Sequence, residues 1–101
     1  MDPIFEFSAE LWEWRAEGAT TWFMLTVPED ESDQIREIVP EARGFGAVRV
    51  EVQVGETVWR TSVFPSKELD AYVLPVKKPV RKAEGLDEGS VADVTLRVLL
   101  D

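Results

Sequence analysis

From Ile4 to Trp14 apolar and polar residues alternate, with Phe5, Phe7, Ala9 and Leu11 on one side and Glu6, Ser8 and Glu10 on the other. That two-residue period predicts a half-buried strand. Thr20 to Val27 repeats it with Phe23, Leu25 and Val27, and Gly18 between the two segments suits a short hairpin loop. The implied pairing sets Ala9 opposite Val27 and Leu11 opposite Leu25. It also gathers Trp12, Trp14, Trp22 and Met24 on the opposite face, where alternation calls for polar groups. Large exposed apolar patches generally mark contacts, so this quartet is a candidate interaction surface. The competing expectation is that a neighbouring helix covers it.

Such a helix is predicted just downstream. Asp30 or Ser32 can cap it, acidic residues fill its first turn, Ile35, Ile38 and Val39 form its apolar stripe, and Pro40 stops it. After a Gly44-Phe45-Gly46 loop, four valines alternate with Arg49, Glu51 and Gln53 through Val54, and Val58 to Phe64 returns from a Gly55-Glu56 turn of type II′. This hairpin sets Val52 against Trp59 and Val50 against Thr61 inside, Glu51 against Arg60 and Arg49 against Ser62 outside. Ala71 to Val76 is an apolar run in which Pro75 requires an edge or a strand end. Pro79 then opens a second short helix with Val80 and Ala83 inward and Gly85 as its stop, and Val91 to Leu100 alternates as a last strand. The fold class expected is mainly β: a small closed or nearly closed β-barrel of about six strands with two short helices, one domain over residues 1–101.

Composition narrows the chemistry. A chain of 101 residues can bury roughly 60 to 70% of its unfolded surface, so a single core is feasible without staples. It holds no cysteine and no histidine, which removes disulfides, Cys/His zinc sites, thiol nucleophiles and imidazole bases together. The N-terminus has no basic stretch leading an apolar one and no apolar run has bilayer length, so the default expectation is a cytoplasmic location without membrane contact. The net charge of −9 disfavours nucleic acid and anionic membrane surfaces. The charge is uneven, however: Arg60 to Lys82 is net positive by four, and the remainder is negative by thirteen.

The run "VWRTSVFPSKELDAYVLPVKKPVRKAEGLDEGSVADVTL", with "FSAELWEW" and "WFMLTVPED" upstream, resembles the bacterial and archaeal family of unknown function numbered nineteen hundred and five. Its most specific parts are Trp59-Arg60-Thr61-Ser62 with Phe64-Pro65, and Tyr72 to Arg81. The resemblance implies a double-split β-barrel, a group that includes swapped-hairpin transition-state regulators and antitoxin DNA-binding domains. It implies almost nothing about activity. Members often adjoin a bacteriocin-protection, OmpD-associated type domain, and no such segment is expected in these residues.

The candidate anion-binding set is Arg60, Ser62, Lys77, Lys78 and Arg81. Lys77 and Lys78 precede the second helix, whose N-terminal amides point toward the same region, and Arg81 follows within a turn, so charge and backbone donors can act together. The bland alternative is a solvated face, with Arg60 paired to Glu51. Thr61 and Ser62 lack a histidine base, which leaves only a lysine-activated serine using Lys77 or Lys78. The run Glu29-Asp30-Glu31-Ser32-Asp33 lacks the glycine and later glutamate of a calcium loop and is read as a helix N-terminus rather than a cation site. The function favoured is thus a non-enzymatic binding or protein-interaction module, with no cofactor and no metal, whose positive rim holds an anionic small molecule or protein partner. A dimeric nucleic-acid-binding barrel is the alternative, a carboxylate- or lysine-based enzyme a third. Monomer and homodimer remain open.

Overall fold

The computed structural model describes residues 2–15, 20–39 and 46–100. The expected Gly18 loop, the Pro40 stop and the Gly44-Phe45 part of the next loop lie outside them. Among the described residues are seven antiparallel strands and two helices, namely β1 (Ile4–Glu10), β2 (Trp12–Arg15), β3 (Thr21–Thr26), α1 (Glu29–Ile38), β4 (Val48–Val54), β5 (Thr57–Ser66), β6 (Ala71–Pro75), α2 (Lys78–Glu84) and β7 (Val91–Val98). The strand order is β1-β7-β4-β5-β6-β3-β2, so the two outermost strands are consecutive in sequence. The sheet curls into a nearly closed barrel whose ends are the two halves of one bent strand.

That bend corrects the expected count of six strands. The first segment divides at Leu11, which is fully buried and exchanges backbone hydrogen bonds with the loop before β7: its N–H donates to Ser90 O at 2.8 Å, and its carbonyl accepts from Gly89 N–H at 2.8 Å. Before the bend, β1 pairs with β7, and Ala9 lies opposite Ala92 rather than Val27. After it, β2 pairs with β3 in the expected hairpin register, Trp12 with Met24 and Trp14 with Trp22. The β4–β5 register is also as read, with Glu51 opposite Arg60, Val52 opposite Trp59 and Arg49 opposite Ser62, and Gly55 takes the positive φ of 60° that a type II′ turn requires. Pro75 ends β6, where its missing N–H leaves no ladder bond unmade.

Inside the barrel lie the alternating faces of β4 and β7, Val50, Val52, Leu96 and Val98, with Leu25 of β3, Leu74 of β6 and Ile35 of α1. Leu100 falls outside β7 and is exposed. The helices differ from expectation at their ends. α1 begins at Glu29 after Pro28 with no side-chain cap, so neither Asp30 nor Ser32 caps it. Instead Ser32 is fully buried: its hydroxyl donates to Val27 O at 2.9 Å and accepts from Tyr72 N–H at 3.0 Å, tying the helix to the ends of β3 and β6. In α2, Val80 is buried and Gly85 supplies the left-handed stop at φ 63°, but Ala83 faces solvent.

Candidate functional site

The groove between β3 and the start of α2 grows out of the end of β6. Beyond Pro75, Val76 N–H still donates to Phe23 O at 2.8 Å, and the chain then leaves the sheet with Lys77 extended and exposed. Lys78 and Pro79 open α2. Few backbone donors are left for a ligand, because Pro79 has no N–H and those of Val80 and Arg81 both go to Lys77 O at 3.1 Å. The positive character of the groove therefore resides in side chains. Lys77, Lys78 and Arg81 line it together with Thr21, Trp22 and Phe23, around a volume of 270 Å³.

The three cations differ in freedom. Arg81 Nε donates to Val76 O at 3.1 Å, and its guanidinium lies 3.8 Å from the centre of the Phe23 ring, so cation–π attraction fixes it as a wall between α2 and β3. Lys77 and Lys78 make no ion pair among the described residues. Both side chains are exposed.

Arg60 and Ser62 are not brought to this groove. They sit on the outer face of β5, where Arg60 Nε donates to Glu51 Oε2 at 3.3 Å and Ser62 stands opposite Arg49. A second guanidinium joins from β7: Arg97 bonds Glu51 at 2.6 Å and Asp2 at 3.0 Å. Arg97, with Arg60 next, holds the Glu51 carboxyl below its ordinary range, and Glu51 in turn raises Arg97. Arg97 escaped the sequence reading because the β4–β7 pairing that sets it beside Glu51 joins segments distant in sequence. No side chain able to act as a base bonds Ser62 among the described residues, and no cluster of acidic groups suited to a metal ion occurs there. Glu29, Asp30 and Glu31 occupy the first turn of α1.

The tryptophan face is open, which corrects the expectation that α1 covers it. The helix packs on β6, its Ile35 enters the core, and Arg36 lies 5.8 Å from the centre of the Tyr72 ring. Trp14 and Trp22 stay 46% and 41% exposed. Trp12, Trp14, Met24, Val73 and Leu69 line a groove of 380 Å³ on the outer side, and Trp12 is oriented there by donating from Nε1 to Thr26 Oγ1 at 2.8 Å. Two adjoining grooves, one apolar and one cationic, meet at the Trp14–Trp22 pair.

A small, mainly β, curled barrel with two short helices is the class these observations define. The chain belongs to the family described as Domain of unknown function (DUF1905), which matches residues 7–96. No curated protein matches it. No helix among the described residues is long and apolar enough to cross a membrane.

Proposed function

We propose that the protein is a non-enzymatic binding module and that the groove between β3 and the β6–α2 junction holds an anionic group. The observation that carries this reading is the convergence of Lys77, Lys78 and Arg81 beside Trp22 on a molecule of net charge −9. Cations gathered against apolar walls act in a lower effective dielectric than cations scattered in water, so they attract an anion more strongly. The absence of histidine and cysteine from the sequence supports a binding rather than a catalytic role.

Calorimetric titration with tetraglutamate at low ionic strength tests the proposal. Saturable binding that weakens with salt and is lost in Lys77→Ala/Lys78→Ala, at an unchanged melting midpoint, is expected. Equal binding by the double variant overturns it. Arg81 is left intact because its bond to Val76 and its seat on Phe23 make it part of the groove's wall.

A further inference from the structure

We propose that the outer face of β2, β3 and β6 seats an extended segment of another protein, one carrying apolar side chains followed about three residues on by aspartate or glutamate. The inference rests on the anion-binding reading above and names the carrier of the anion. Directly paired residues of antiparallel strands share a face, so the registers arrange this surface in rows. Trp12, Met24 and Pro75 form one row, and Thr26, Val73 and Phe64 form the next. Two residues further along β3 in the other direction, Trp14 pairs with Trp22, and continuing the β3–β6 register sets Lys77 on the far side of Trp22. That Lys77 and Trp22 line one groove agrees with this placement.

The surface is thus apolar up to Trp22 and cationic immediately beyond. Phe64 at 41% exposure extends the apolar part: Trp14, Trp22 and Phe64 are exposed and Trp12 and Met24 half-buried, while Val73 and Pro75 in the same rows are buried, so large apolar side chains reach solvent where an isolated molecule would place polar ones. Charge decides between occupants. Two copies of a chain of net −9 oppose one another over their whole surfaces and an extended anionic bilayer meets the acidic remainder of the molecule as well as the groove, whereas a short segment sets its acidic groups against Lys77, Lys78 and Arg81 alone. A segment that is apolar with acidic groups beyond complements both halves of the surface. Glu68, from the β5–β6 connection, lines the apolar groove at the opposite end of β6 from Lys77 and sets the direction by repelling the acidic end. From the Trp14 strand to the Lys77 strand is about 10 Å, two strand spacings, which about three extended residues bridge.

The test uses a capped peptide of two leucines, two serines and four glutamates in that order, with tetraglutamate as reference. Binding to the native protein about tenfold tighter than that of tetraglutamate is expected, with the gain lost when serine replaces both leucines and lost again in Trp14→Ser/Trp22→Ser. If tetraglutamate binds and the leucines add nothing, the docking face is overturned while the anion site stands. If neither peptide binds, the anion site fails and takes this inference with it. Because the leucine-to-serine comparison is made on the unaltered protein, it holds even should the tryptophan variant not fold. Sedimentation showing a dimer that the tryptophan substitutions dissociate would also overturn the inference, by giving the face to a second copy.

Discussion

At Glu51 one carboxylate meets two guanidinium groups, each from a different neighbouring strand. Its lowered pKa means that its contribution to stability is fully present above the ordinary carboxylate range and is lost as pH falls through the lower folded value. The difference in urea midpoint between the native protein and Glu51→Gln should therefore be constant near neutrality and close on acidification; a gap that widens toward acid would contradict the pairing. Trp59, directly opposite Val52 and half-buried against the core, is a different kind of residue. Trp59→Ala should cost about 2 kcal/mol, less than the ~3 to 5 kcal/mol of a fully enclosed aromatic, while Arg60→Ala leaves Arg97 on Glu51 and moves the midpoint far less. Ser32 carries the opposite lesson for a small side chain. Ser32→Ala strands the buried Tyr72 N–H without its acceptor, and a loss of about 1 to 3 kcal/mol in chemical denaturation is expected.

Among elements, the β4–β5 hairpin and α2 lock together at the turn. Glu84 accepts a hydrogen bond from the Thr57 hydroxyl and lies where a side chain on Gly55 would have to go. Gly55→Ala meets the left-handed backbone and turns the Glu84 carboxylate away from Thr57, so its destabilisation should exceed the ~1 to 2 kcal/mol of the backbone alone by the hydrogen bond lost. Combining it with Glu84→Ala should recover the excess in a double-mutant cycle. The same contrast explains what was legible in the sequence. Hairpins could be read because a turn two residues long fixes every pair beyond it, as Gly55-Glu56 does for Glu51 and Arg60. The bend at Leu11 could not, since Leu11 continues the alternation of Phe5, Phe7 and Ala9 without any breaker residue. The pairing of β3 with β6 was equally silent, and with it the meeting of Trp22 and Lys77. Charge clustering along the chain grouped Lys77, Lys78 and Arg81, which line one groove, with Arg60 and Ser62, which do not, because nearness in sequence does not show that β5 meets β6 only over Phe64–Ser66 and that β3 is the strand bordering the groove.

For the whole molecule, ring closure concentrates on Leu11, where strand pairing changes partner and the side chain is fully buried. Leu11→Ala should cost about 2 to 5 kcal/mol, and amide exchange should quicken in β1 and β2 before the β4–β5 hairpin is affected. A milder substitution at the exposed Ile4 should leave that order of exchange unchanged. The bent strand also bears on how the protein emerges during synthesis. As residues appear one by one from the N-terminus, β1 has no hydrogen-bonding partner until β7 follows, with 85 residues separating Ser8 from Asp93 in the finished pair. The hairpins of the middle strands can form meanwhile, each around its own turn, but an emerging chain halted before β7 holds β1 as an unpaired strand with Phe5 and Phe7 uncovered. Ribosome-bound chains stopped ahead of Val91 should therefore engage holding chaperones through Ile4–Glu10, and release them once Val98 is clear.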